Sequence, residues 1–208
     1  MLKYTTALLV VGSLAFYPSC SEASNKPAQK PAETQSTATE NDKFKKWHDI
    51  CLEGDTGKIA QQISKFEAEL VNKPSNDLAR VYLGSSYALK AKHSFFPPTK
   101  LKSLKIGKGL MEQAVTSSPN NPRVRMVRAI AYYNVPKRFG TRASSVSDFE
   151  FLLNEVKKSK STLRPNEKQA ILYYAFLAFT EDGHECATEA RELCHTIDPN
   201  SEYGKLTK

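Results

Sequence analysis

The sequence has no apolar run of eighteen or more residues, so no ordinary transmembrane helix is expected. Cysteine is scarce. Beyond Cys20 there are only Cys51, Cys186 and Cys194, an odd set that does not read as a disulfide framework. Cys186 and Cys194 lie on one expected helix at a separation of about 12 Å along its axis. A disulfide needs Cα atoms within about 7 Å, so that pair cannot close. Also missing are GxSxG, HExxH and any phosphate-cradling glycine loop; Gly107-Lys108-Gly109 lacks the rest of a nucleotide motif. No enzyme activity, metal or cofactor is expected. The fourth absence is of negative charge. From Leu78 to Ser147 there are thirteen Lys and Arg but a single acid, Glu112, whereas both flanking regions hold slightly more acids than bases.

What is present begins with a targeting pattern. Met1-Leu2-Lys3 gives a short positive start, and Ala7 to Phe16 is an apolar run of the length of a signal h-region. Two processing routes are open. Ser21-Glu22-Ala23 suits cleavage before Ser24, while Tyr17-Pro18-Ser19-Cys20 resembles a bacterial lipobox with Cys20 as the lipidated residue. Tyr17 and Pro18 depart from that pattern. Residues 24–41 form a polar, proline-containing tract with the composition of a disordered tether. The expected division is therefore a signal segment over 1–23, a tether over 24–41, a helical domain over 42–200 and a tail over 201–208. The expected location is outside the cytoplasm: periplasmic, either soluble or lipid-anchored.

Past residue 41 the punctuation is regular. Pro74-Ser75-Asn76, Pro119-Asn120-Asn121, Pro165-Asn166 and Pro199-Asn200 each pair a helix breaker with a good N-cap. The prolines stand 45, 46 and 34 residues apart. Between them, Leu101, Leu104, Lys108, Met111 and Val115 recur with helical spacing, as do Ile63, Phe66, Leu70 and Val71. No segment alternates long enough to argue a strand, so an all-α chain is expected. Four hairpins are expected at about 42–74, 76–119, 122–163 and 166–199, with loop inserts at Lys92–Lys100 and Val135–Ala143.

These residues resemble the tetratricopeptide repeat. Leu83-Gly84-Ser85-Ser86-Tyr87 fits the L-G-x-x-Y core of its first helix, and Gly107, Met111, Ala114 and Pro119 fit its second. The resemblance covers about residues 42–200 and is strong in one and a half repeats, with Arg80 where tryptophan is usual. It implies a right-handed stack of antiparallel hairpins, an α-solenoid whose units contact only their neighbours. It further implies a concave groove lined by the first helices, offering Tyr82, Arg123, Met126, Ile130, Tyr133, Tyr173 and Phe176. Aromatics beside arginine are the usual composition of a binding hot spot.

The one-signed middle region points to an anionic partner. Lys100, Lys102 and Lys105 flank the first insert, and Lys137, Arg138 and Arg142 belong to the second. The expected function is a non-catalytic binding or scaffold module for a protein or peptide of acidic character. The alternative is electrostatic association with an anionic membrane or envelope surface. Nucleic acid is not expected, since an exported protein seldom meets it. Two structural expectations accompany this. His184, Cys186, Cys194 and His195, four metal-type side chains, should diverge on one helix, with the histidines exposed. A buried Arg128 would need a partner, and Asp148, the first acid after the basic stretch, is the candidate.

Overall fold

Helix starts are fixed where a polar side chain can accept the unpaired N–H groups of a first turn. In a computed structural model, residues 33–208 are described, with side chains from residue 39. These residues form α1 Glu33–Leu52, α2 Thr56–Asn72, α3 Asp77–His93, α4 Pro97–Ser117, α5 Pro122–Asn134, α6 Arg142–Lys157, α7 Pro165–Asp182, α8 Ala187–Ile197 and α9 Glu202–Leu206, with a 3₁₀ turn at Lys137–Phe139. No strand occurs among them. The signal segment, Cys20 and the start of the expected tether lie outside the described residues.

The asparagine caps fall where the sequence places them in two cases. Asn76 accepts from the Ala79 N–H at 3.0 Å, and Asn121 from the Arg123 N–H at 3.0 Å. At Pro165-Asn166 the rule fails, because Pro165 is already the first helical residue and the Glu167 carboxylate accepts the Arg164 N–H at 2.8 Å. Pro199-Asn200 leads into α9, which Ser201 caps by accepting the Gly204 N–H at 2.9 Å.

Several boundaries differ from expectation. Helix α1 begins at Glu33, inside the tract read as tether, and Asn41 is buried at 1 % exposure. Polar composition hid this helix because its apolar stripe starts only at Phe44. Residues 201–208 are not a loose tail, since α9 packs on α8 and α7 and buries Gly204 and Thr207. The first insert is mostly helix: α3 runs to His93 and α4 starts at Pro97, leaving Ser94-Phe95-Phe96 as the connection. Proline at the first helical position is compatible with α-geometry, so Pro97-Pro98 opens a helix here.

Consecutive helices pair, α1 with α2, α3 with α4, α5 with α6 and α7 with α8, and short connections make such partners antiparallel neighbours. First helices of successive pairs also touch: α1 with α3, α3 with α5, and α5 with α7. The tightest approach is between α3 and α4. A Cβ built on Gly107 would lie 2.5 Å from the Gly84 carbonyl oxygen, and one on Gly84 would lie 2.6 Å from Met111 Cγ. Only glycine allows that backbone contact. Phe44, Phe66 and Tyr82 form an aromatic cluster at one end of the core, with Phe66 and Tyr82 stacked at 6.2 Å. Met111, Val124, Tyr132, Phe149, Leu152, Ile171 and Phe179 continue it through the other pairs.

A fully buried carboxylate joins α5 to α6. Asp148 accepts from Arg128 Nε at 2.7 Å, Arg128 Nη2 at 2.8 Å and Arg125 Nη1 at 2.7 Å. The Arg128–Asp148 pairing is the one expected from the sequence. Glu112, the lone acid of the basic stretch, takes the remaining Arg128 donor at 2.7 Å and the Tyr132 hydroxyl at 2.7 Å. With Arg123, which pairs with the buried Glu167, three arginines of that stretch are committed to internal carboxylates.

Candidate ligand-binding cavity

The four first helices surround a cavity of about 430 Å³, closed on one side by Tyr203 of α9. Its walls are mainly apolar: Ala88 and Leu89 from α3, Met126, Val127, Ile130 and Ala131 from α5, and Ala170 and Tyr174 from α7. Such a volume with an apolar lining and a few directed polar groups is the usual form of a small-ligand or side-chain pocket. Toward the C-terminal ends of the first helices the lining residues Leu52, Lys92 and Asn134 are exposed, and the cavity opens there.

The opposite end is sealed by hydrogen bonds. Asn41 donates to Glu167 Oε1 at 2.9 Å and accepts from the Tyr82 hydroxyl at 3.1 Å. Arg123 Nε reaches Glu167 Oε1 at 2.9 Å, and Arg164 Nη1 reaches Asp42 Oδ1 at 2.7 Å. These bonds tie α1 directly to the start of α7. First and last pairs therefore touch, which corrects the expectation that units contact only their neighbours. The four pairs curl far enough for their ends to meet.

A polar spot sits on the wall. His48 Nε2 and Ser85 Oγ are 2.8 Å apart, with the His48 ring 5.4 Å from that of Tyr82. Burial keeps His48 neutral and depresses its pKa to about 4. Nucleophilic use of a Ser–His pair needs an orienting acid and free N–H donors at the developing oxyanion. Asp49 instead pairs with Lys45 at 2.6 Å, and Ser85 lies in the middle of α3, where backbone N–H groups are spent within the helix. What the pair offers chemically is a hydrogen bond to a bound group.

No family model, curated protein or solved structure matches the chain. The cavity is thus read from its own residues.

Of the seven residues expected to form a groove, Tyr82, Met126 and Ile130 line the cavity. Arg123 is part of its seal. Tyr133 is partly buried against Arg142, whose guanidinium lies 4.4 Å from its ring, and its hydroxyl donates to Glu181 at 2.7 Å. Tyr173 is covered by Tyr203, stacked at 5.0 Å, and Phe176 lines a separate depression with Phe179, His184 and Arg191. Tyr133 lies on α5 and Tyr173 and Phe176 on α7, while α9, absent from the sequence reading, covers Tyr173. Asn41, His48, Ser85 and Tyr203 escaped the sequence reading. Only the recurrence of Phe44, His48 and Cys51 at helical spacing signalled that His48 lies on an inward stripe.

Among the basic residues, Lys100, Lys102, Lys105 and Arg138 are exposed, Lys137 reaches Glu181 at 3.1 Å, and Arg142 is partly buried beside the same carboxylate at 3.2 Å. The metal-type quartet is split. His184 lies in the turn before α8, stacked on Phe179 and bonded to Glu150 at 2.9 Å. His195 contacts the Gly204 carbonyl at 2.8 Å, and Cys194 is fully buried. Both histidines are partly buried, not exposed as expected. Among the described residues no three His, Cys, Asp or Glu converge as a metal site.

The seal and the His48 spot together make the fold sensitive to acid in two steps. Burial alone would raise the Glu167 pKa, but hydrogen bonds from Arg123 and the Arg164 backbone outweigh it and hold the carboxyl below its ordinary 4.5. Its contribution is complete above 4.5 and is lost as pH falls through the lowered value. For His48 the unfolded chain takes up a proton below 6.5 while the folded one resists down to about 4, so stability also falls across that window. Melting curves from neutral pH to pH about 3 should show both. His48→Gln should flatten the first decline. Glu167→Gln should lower stability at neutral pH by roughly 1.5–3 kcal/mol, the worth of a charged hydrogen bond, with the gap to wild type closing in acid.

Proposed function

We propose that the chain is a non-catalytic, exported binding module. In this reading its four helix pairs form a right-handed tetratricopeptide-like stack, and its inner cavity receives an apolar side chain of a protein or peptide partner. The observation that carries the proposal is the cavity itself. It is enclosed by first helices, as the resemblance implies for a concave surface, and is mainly apolar with the His48–Ser85 hydrogen-bonding spot on its wall. Lys92 at the open end and Lys90 nearby, with no acid from Leu78 to Met111, favour a partner with acidic residues flanking the apolar one.

Selection from a displayed random-peptide library, followed by cavity-filling variants, tests this. Ala131→Trp and Ala170→Trp each place a large ring into the cavity from a different helix. Selected peptides should share an apolar residue beside acids, and both variants should weaken their binding at least about tenfold, 1.4 kcal/mol, with helicity unchanged. Absence of any enriched peptide, or full binding by both filled variants, would sink the proposal.

A further inference from the structure

One edge of the molecule carries apolar side chains that nothing covers. Phe95 is fully exposed, Phe96 is 65 % exposed and Leu101 58 %. The two phenylalanines make the α3–α4 connection. Leu101, Lys102, Lys105 and Ile106 occupy the outward side of α4, because Leu104, Gly107 and Met111 turn its other side to α3. The expected stripe through Leu101 is therefore wrong at that residue.

The same stretch carries exposed cations. Lys92, Lys100, Lys102 and Lys105 are exposed, and no acidic residue occurs between Asp77 and Glu112. A small cluster of Ala91, Leu104, Val135 and Phe139 holds the α5–α6 connection against the α3–α4 end. Lys108 Nζ reinforces it by donating to the Phe139 carbonyl at 2.9 Å. Exposed Arg138 is thereby added to the same edge.

Single exposed apolar residues are ordinary on protein surfaces. Two adjacent exposed aromatics in one connection, followed by Leu101 within a stretch of exposed lysines, are a different pattern. Lysine is depleted at protein–protein interfaces, and hot-spot aromatics there sit in packed surroundings. An acidic bilayer instead accepts apolar side chains at the headgroup–acyl boundary and draws in each adjacent cation.

We propose that this edge docks on an anionic lipid bilayer. Phe95, Phe96 and Leu101 enter the boundary region, while Lys92, Lys100, Lys102, Lys105 and Arg138 lie against acidic headgroups. Contact is peripheral, since no described helix is long and apolar enough to cross a membrane. The proposal does not rest on the cavity reading, although Lys92 belongs to both.

The test is co-sedimentation of the chain beginning at Ser24, which keeps every described residue and carries no acyl group. Vesicles are phosphatidylcholine alone or an equal mixture with phosphatidylglycerol. The chain should partition to the mixed vesicles at least about tenfold more strongly, with binding that weakens as salt rises. Phe95→Ser with Phe96→Ser should reduce that partitioning at least about tenfold, and Lys100→Glu, Lys102→Glu and Lys105→Glu together about a hundredfold. Circular dichroism should show native helicity in both variants, because the altered side chains are outside the core. Equal binding to both vesicles, or full binding by the serine variant, overturns the proposal. So does a vesicle-free dimer in ultracentrifugation that the serine variant dissociates, since a second copy would then cover this edge.

Discussion

Gly84→Leu is expected to destabilise the protein by more than about 3 kcal/mol, beyond the usual overpacking range. The Met111 side chain is nearest, but it is the backbone behind it that cannot give way. Even a methyl at residue 84 would stand 2.8 Å from the Gly107 carbonyl oxygen and 3.1 Å from the Met111 nitrogen. A flexible side chain could swing aside, but α4 can make room only by withdrawing from α3 along its length. That would open the most intimate pairing in the fold. In a chain of this size a loss of about 3 kcal/mol corresponds to a fall in melting temperature of about 6–12 °C. Gly84→Ala should lie between wild type and leucine. Thermal unfolding by circular dichroism decides the matter, and an unchanged midpoint for the leucine variant would mean that α3 and α4 do not meet at these glycines.

Asp148→Ala should cost about 3–5 kcal/mol, the usual penalty for leaving a buried charge without its counterion. Asp148 is fully buried and receives three donors from Arg125 and Arg128. Without it Arg128, 8 % exposed, keeps only Glu112. Much of the penalty belongs to the stranded arginine, so Asp148→Leu with Arg128→Met should recover a large part of it. Denaturant unfolding of the single and double variants measures both. A single-variant loss under about 1 kcal/mol, the value of an exposed pair, would show that water reaches this carboxylate.

The sequence made helices and their pairing readable because both depend on local signals. Periodic apolar residues, asparagine caps and prolines act within a turn or two. The approach of Gly84 and Gly107 was readable only through the repeat motif that both residues resemble. Arg128–Asp148 was legible through charge arithmetic, as one acid follows a long run of bases. The cavity was only partly legible. Tyr82, Met126 and Ile130 follow from the helical register, but the depth of the curl does not. The cavity also rests on Asn41, at the end of a polar stretch, reaching Glu167 and Tyr82, and on α9 folding over Tyr173. Composition gave no sign of either. Nor does periodicity reveal that Phe95 stays outside, because it falls in a connection with no period to read.

The bonds between α1 and the start of α7 bear on how the protein comes apart. In an open array of repeats each unit leans only on its neighbours, so terminal units fray first and unfolding can advance stepwise. Here the ends hold each other through Asn41–Glu167 and Asp42–Arg164. Loosening the first pair also removes bonds from the start of α7, and the reverse holds. Partly unfolded forms lose contacts at two places and are correspondingly rare. Amide protons in α1 and α7 should accordingly exchange with solvent in one shared opening event instead of two independent ones.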